Sequence, residues 1–540
     1  MSNKKQKFKW TACFATIAIT LSTCIIVACV NEDSAKKEHS IVAGLGRDAG
    51  GVYGHANHLQ PLTRIFETLV SYGYHSEIVP QLASDWKVSA DGLSWTFTLH
   101  PDIQFHDGTL LDAEAVCNAL VMHDKKRPGH LGSIAAINAL DPLHLQIIHR
   151  EPFAPLLYEL GWFLFSIAGP SAFDEQGNII HPVGSGPFKA EEWIPEQSLI
   201  LSRNENYCRN ENYWGGCPVL ERVTLKTIPD PATRVMALQA GEIDMIIDSG
   251  GVLPDDVALL ANDSQIRVLQ YPQALCNYLV LNCNIAPFNQ VNVRKALAHA
   301  IDRHAIVQNL LGVGKVASSL IASDVADWHY PAFKLNYDPD RAKALLAQAG
   351  WRDTDHDGFI EKAGKGFAVD LLLSSQQIAM GPDRRIAEYI QEALRHIGIR
   401  SNIQVLEKGA YYARTSQRDM PHILLWGYPF LGPHNVLYRS FHSTGDWNAR
   451  GNFFSNQNMD ALLEQAQRTM DKSKRIALYK SVQTMIASQV PIIPLYEAVL
   501  INAVRSLVKG YRLHPWFVVN WEDIFKDFPS AAISRTKGQG

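Results

Sequence analysis

DGLSWTFTLHPDIQFHDGTLLDAEAVCNAL, residues 91 to 120, is the stretch on which the reading of the chain turns. Leu93, Trp95, Phe97 and Leu99 alternate with Ser94, Thr96, Thr98 and His100, the period of two expected of a strand with one buried face. His106, Asp107 and Gly108 supply turn residues. Asp112 is placed to cap a following helix through its carboxylate, and Glu114 suits the positive end of the helix dipole. A strand, a turn and a helix from about Ala113 to His123 are predicted.

This block resembles the signature of the extracytoplasmic solute-binding proteins of the peptide and nickel ABC importers. An aromatic residue before Phe97, the run Phe105-His106-Asp107-Gly108-Thr109, and then an acidic cap and helix recur there in this order. The motif identifies scaffold and not ligand, so His106 reads as a hydrogen-bonding turn residue rather than a metal ligand. The resemblance implies an α/β protein with the two-lobed periplasmic-binding-protein-like fold (type II, large cluster with an extra subdomain). Two crossover strands then join the lobes, with a ligand cleft between them.

Upstream, Lys4, Lys5, Lys7 and Lys9 precede an apolar run from Trp10 to Ala28 that ends at Cys29. A basic region, an apolar region and a small residue before a cysteine read as a secretory signal. Ile26-Val27-Ala28-Cys29 resembles the lipobox of bacterial lipoproteins, which makes Cys29 the acylated residue and residues 1–28 the signal peptide. Cys24 is the rival, but Thr23 before it is bulkier than that cleavage usually tolerates. An uncleaved anchor helix is the competing reading, since the run approaches the length of a bilayer span. Either way the remainder works outside the cytoplasm (periplasm or cell surface), held at a membrane. Residues 29–39, polar and charged from Asn31 to His39, read as a flexible tether.

With 46% hydrophobic residues and a formal net charge of -4, the chain has the content for several domains with cores. Lys and Arg are scattered, which argues against nucleic acid as a partner. After Cys29 come Cys117, Cys208, Cys217, Cys276 and Cys283, an odd number that leaves at least one thiol free. Cys208 and Cys217 bracket RNENYWGG, whose glycines allow the chain to fold back for a local disulfide. Cys276 and Cys283, if they share one continuous strand, stand roughly 23 Å apart and do not pair.

Gly44 to Ala49, GLGRDA, imitates a dinucleotide fingerprint, but no helical period follows it. His55 and His58, three apart before the run Phe66-Glu67-Thr68-Leu69-Val70, are candidate metal ligands facing the cleft. A strand is predicted from Ala139 to Ile148 and an apolar helix from Phe153 to Leu164. In Gly184-Ser185-Gly186-Pro187-Phe188 the glycines permit a close chain reversal. Val183 stands where a GxSxG nucleophile elbow needs glycine, so Ser185 is not read as a nucleophile. Further on, Asp230 caps a helix, Pro231 takes its first position and Gly241 closes it, with a strand from Ile243 to Ile247 after it.

Cys276 to Cys283 looks like the crossover into a second lobe. The resemblance divides the chain into a first lobe over 40–277, with the extra subdomain at about 80–185, a second lobe over 278–493, and a return segment over 494–540. Asp353, Asp355, Asp357 and Gly358 reproduce the first half of a calcium loop, but Gly364 stands where the bidentate glutamate belongs, so an acidic surface turn is favoured.

The stretch that speaks to ligand chemistry is His422 to Trp447, HILLWGYPFLGPHNVLYRSFHSTGDW. An apolar strand delivers Trp426 to a Gly- and Pro-rich loop carrying Tyr428, His434, Tyr438, Arg439 and His442. Rings stack, a guanidinium meets carboxylates, and imidazole coordinates late transition metals. This is similar to the nickel-binding branch of the family. There a tryptophan after a strand lines the cleft, and a histidine past a Pro-His pair coordinates nickel held by small chelators. Trp426 matches that tryptophan, and either His442 or His434 matches the histidine. The branch also holds chelator carboxylates with first-lobe arginines; Gly161 to Pro170 has none, and Arg127 is the available substitute.

The expected function is that of a substrate-binding lipoprotein of an ABC importer, not an enzyme. It captures a nickel or cobalt chelate and hands it, as a monomer, to permease and ATPase partners. The alternative ligand is a dipeptide or oligopeptide. A metallohydrolase is disfavoured because HExxH is absent from the chain.

Overall fold

The computed structural model describes residues 39–48, 63–175, 179–207, 216–247, 251–416, 422–430, 432–516 and 518–527. Cys29, His55, His58 and Cys208 lie outside them.

The alternation at residues 93–100 produces the strand Ser94–Leu99, with Trp95, Phe97 and Leu99 turned into the core. It pairs antiparallel with Ala83–Val88 on one side and His144–His149 on the other, and the latter pairs with Ile134–Asp141. The one strand expected over 139–148 is therefore a hairpin. Its turn forms because the Asp141 carboxylate accepts the N–H groups of Leu143 and His144. Asp112 caps the helix Ala113–Lys126 by accepting from the Ala115 N–H at 2.9 Å. The helix expected over 153–164 is only Leu156–Leu160. Trp162 turns to extended backbone and Phe163–Phe165 forms a separate 3-10 turn.

An eleven-stranded sheet passes through both lobes. At its middle lie two long antiparallel strands, Ile266–Leu281 and Ile492–Arg505, so the crossover begins ten residues before the expected Cys276. Their ladder is interrupted between Pro272 and Cys276, where a proline cannot donate, and again between Asn277 and Tyr278. On one side of the interruption, Leu275 to Leu281 pairs with Ile423–Pro429, which leads to Ala368–Ser374 and Arg400–Leu406. On the other side, Val504 and Ala503 pair with Met245–Ile246, which leads to Ser40–Leu45, Arg222–Thr227 and the antiparallel strands beyond. Asp230 accepts from the Thr233 N–H at 2.8 Å to open the helix Pro231–Ala240, and Gly241 closes it at φ 76°.

Cys117, Cys276 and Cys283 are free thiols, while Cys217 is disulfide-bonded to a partner outside the described residues. No helix among the described residues is long and apolar enough to cross a membrane.

The glycines of residues 184–188 serve packing rather than a left-handed turn. A Cβ on Gly186 would stand 2.0 Å from the Arg64 carbonyl oxygen, and one on Gly184 would stand 2.0 Å from that of Ile65. The same junction holds His106, whose Nε2 lies 3.0 Å from the Gly186 carbonyl, and burial pulls its pKa down to about 4. Backbone cannot yield as a side-chain tip can, so Gly186→Ala is expected to cost at least about 2 kcal/mol. Chemical denaturation of the variant against wild type measures this; an unchanged midpoint would show that the junction is slack.

Candidate functional site

Two separate polar regions lie where the lobes face each other. The first is a cavity of about 300 Å³ beside the interrupted ladder, walled by Gln273 and Asn277 of the crossover strand and by Tyr496 and Glu497 of the return strand. Trp426 reaches it from Ile423–Pro429 and stacks on Tyr411, centroids 6.2 Å apart and planes 2° from parallel. Ser374 ends its strand by forming a capping box with Gln377, whose amide also donates to the Leu425 carbonyl at 3.0 Å and so ties this wall to the Trp426 strand. Glu497 is committed to Ser323, accepting from its N–H and its hydroxyl. Asp383 lines the same space, and burial pushes its pKa up to about 7. Arg47 brings a guanidinium from the first lobe.

The second region is a seam between the subdomain and the helix Pro433–Phe441. Arg439 is bound in a fork to Asp446 at 2.8 and 2.6 Å, donates to the side-chain Oδ1 of Asn435 at 2.7 Å, and lies over the rings of Trp447 and Trp162. Asn435 in turn donates across the lobes to Glu159 at 2.6 Å. Glu159 is 1% exposed, and burial raises its pKa to about 8, against the pull of Arg439 and Asn435. It is thus mainly protonated at neutral pH. His130 stacks on Trp162 at 6.0 Å. Burial and Arg439 lower the pKa values of His130 and His434 to about 4 and about 3, so both imidazoles are neutral.

Among the described residues, five buried polar atoms of this seam have no protein partner: Arg127 Nη1, His130 Nδ1, Glu159 Oε2, Trp162 Nε1 and His434 Nδ1. Buried polar atoms are ordinarily satisfied, so such a concentration calls for a polar guest, water or ligand.

Arg127, His434 and Arg439 are brought together as sequence residues of one region. Arg439, however, is occupied by Asp446 and Asn435, which makes it a brace rather than a free carboxylate receptor. Tyr438 is held between two imidazoles, 4.7 Å from His434 and 4.3 Å from His442, because positions four apart share one helix face. His442 is spent on the scaffold, with Nδ1 2.8 Å from the Thr444 hydroxyl and Nε2 3.3 Å from Glu464. Trp426 stands apart, at the crossover cavity. Tyr428 lies opposite Cys276 in the sheet, and its side chain is outside the described residues, as are His55 and His58. Sequence reasoning missed His130, Glu159, Trp162 and Asp383. The available signal for Glu159 was an acidic residue inside an otherwise apolar run.

Asp353, Asp355 and Glu361 bring carboxylates within 4.8 Å of one another, but Glu361 also accepts from the Thr354 N–H and Arg400 pairs with Asp357, as in the surface turn expected there.

A two-lobed fold with a polar, aromatic cleft at its hinge defines an extracytoplasmic solute-binding protein. The chain belongs to the bacterial extracellular solute-binding proteins, family 5, which it matches over residues 77–448. It is therefore the substrate-binding component of an ABC importer, working with permease and ATPase subunits, and not an enzyme. It is 31% identical to the nickel-binding periplasmic protein of Escherichia coli (strain K12), across 81% of this chain and 84% of that one. Among solved structures it is similar to NikA from Brucella suis in complex with Fe(III)-EDTA, at TM-score 0.80 and 26% identity over 90% of this chain and 100% of that one. It is likewise similar to the Helicobacter pylori binding protein DppA in complex with peptide STSA, at TM-score 0.76 and 27% identity over 91% and 99%.

A carboxyl that binds its proton more tightly folded than unfolded favours folding below its unfolded pKa, and the benefit fades as pH rises through the folded value. For Glu159 that window runs from the ordinary 4.5 to about 8. Glu159→Gln keeps an acceptor for Asn435 and removes the titration. Its melting temperature relative to wild type is expected to climb across that window and level off above it. A pH series of thermal melts checks this, and a constant difference would mean that Glu159 is ionised throughout.

Proposed function

We propose that this protein captures a nickel or cobalt chelate and delivers it to its permease. The observation that supports this reading is the seam, with two neutral imidazoles carrying unpartnered Nδ1 atoms beside an unpartnered guanidinium nitrogen and indole N–H. Neutral imidazole is the form that binds late transition metals, while guanidinium and indole donors suit a chelator's carboxylates. His434, with His130, is the metal-facing residue, and His442 is structural. The relation to the Escherichia coli nickel-binding protein supports the same reading. Peptide capture is the second reading. It is favoured by the crossover cavity, where Asp383 suits an ammonium, Arg47 a carboxylate, and Trp426 an apolar side chain.

Isothermal titration of the full-length protein with nickel, nickel plus excess L-histidine, and a mixed dipeptide set separates the two. Heat with nickel and histidine is expected, weakened at least about ten-fold in His434→Ala. His442→Ala is expected to lower the melting temperature while binding persists. Heat with dipeptides alone would reassign the ligand.

The membrane tether rests on the Ile26 to Cys29 run. Cys29→Ala is expected to abolish incorporation of labelled fatty acid and release the chain from membranes, as loss of an acyl anchor demands. Retention of label would move the site to another cysteine.

A further inference from the structure

A larger cavity, about 670 Å³, lined by residues other than those of the two regions just described, lies between the subdomain sheet and the second lobe. Its size falls within the roughly 300–1,000 Å³ range of small-molecule sites. One wall carries Trp86 and Trp95 from the paired strands Ala83–Val88 and Ser94–Leu99, together with Tyr158. The other carries Trp328, Asp324 and Arg475. Trp328 donates its indole N–H to the Tyr158 hydroxyl at 3.0 Å, which closes one end of the space across the lobes.

The charges sort into those already answered and those that are not. Lys472 is paired with Asp327 at 2.5 Å, and Glu77 accepts the His75 N–H. Asp324, by contrast, keeps a buried Oδ2 with no partner, and Trp95 keeps a buried Nε1 with none. Arg475 gives Nη1 to the carbonyls of Thr469 and Met470 and lies 5.6 Å from the centre of the Trp328 ring, with no carboxylate within ion-pair distance among the described residues. The groups with buried or unspent capacity are thus the Asp324 carboxylate, the Arg475 guanidinium and the Trp95 N–H, set among aromatic walls, with the Glu77 carboxylate held by a backbone N–H. A buried polar atom left unpaired is costly, so the Asp324 Oδ2 and the Trp95 N–H, with the Arg475 guanidinium beside them in the lining, suit a molecule that carries both signs.

We propose that this cavity is a second ligand site, for a zwitterion with an apolar or aromatic body. Asp324 receives its ammonium, Arg475 and the Trp95 N–H receive its carboxylate, and Trp86, Trp95 and Tyr158 cover its body. Because the walls come from both lobes, an occupant favours their closed arrangement. This proposal is independent of the metal reading, which rests on other residues.

L-phenylalanyl-L-phenylalanine and free L-tryptophan are the probes, covering the peptide and amino-acid sources of the same chemistry. Each is titrated into the purified full-length protein while tryptophan fluorescence and heat are followed. At least one is expected to bind and to quench fluorescence. N-acetylation of that probe, or Asp324→Asn, is expected to weaken binding ten-fold or more, and Trp86→Ala, on the opposite wall, serves as a second variant. Folding of each variant is confirmed by its thermal melt. Failure of both probes to bind, or binding by both folded variants at wild-type affinity, overturns the proposal, whatever the outcome with nickel.

Discussion

The structure depends on one shared ladder. Ile266–Leu281 and Ile492–Arg505 are hydrogen-bonded to each other along most of their length, and each lobe builds its sheet outward from opposite ends of that pair. Backbone pairing fixes where the lobes meet, yet the interruption between Pro272 and Cys276 leaves a stretch with fewer ladder bonds. A two-strand bridge weakened at one place bends there in preference to elsewhere. The cavity holding Trp426 lies beside that place, so whatever occupies it touches both bodies and the hinge together.

Closure also has a side-chain component away from the ladder. Asn435 to Glu159 and Trp328 to Tyr158 span the lobes in buried or half-buried settings, whereas the pair Arg468 and Glu151 spans them with both side chains about half exposed. The exposed pair contributes at most about 1 kcal/mol after screening. The buried contacts matter more, because opening would leave each polar group to be resolvated. Keeping Glu159 protonated avoids placing a bare carboxylate in the seam, and Arg439 is answered there by Asp446.

The scaffold was legible where local chemistry and burial pattern agree. Phe97 sits in a strict alternation, Asp112 and Asp230 cap the helices they precede, and Gly241 ends one in a left-handed conformation. Where the chain reverses through side-chain acceptance, as at Asp141, periodicity alone merged two strands into one. The site was less legible for a different reason. Trp426 and His434 lie eight residues apart in one conspicuous stretch, yet one serves the crossover cavity and the other the seam. The seam's remaining groups, Arg127, His130, Glu159 and Trp162, come from a segment some 300 residues earlier, and only tertiary packing assembles them. Arg439 shows the converse error: its chemistry suits a ligand carboxylate, but Asp446, seven residues on, satisfies it internally.

The distribution of unsatisfied groups bears on how selectivity can arise in such a fold. A ligand shifts the lobes toward closure only by the difference in its affinity for the two arrangements. Atoms already bonded within one lobe, such as both nitrogens of His442, add nothing to that difference. Atoms that close toward one another with vacant hydrogen-bonding capacity add most, since an unsuitable guest leaves them buried and unpaired. In the seam those atoms come from both sides, Arg127, His130, Glu159 and Trp162 on one and His434 on the other. On the proposed reading, discrimination there falls less on the aromatic walls, which accept many bodies, than on whether a guest can answer two imidazole nitrogens and a guanidinium at once.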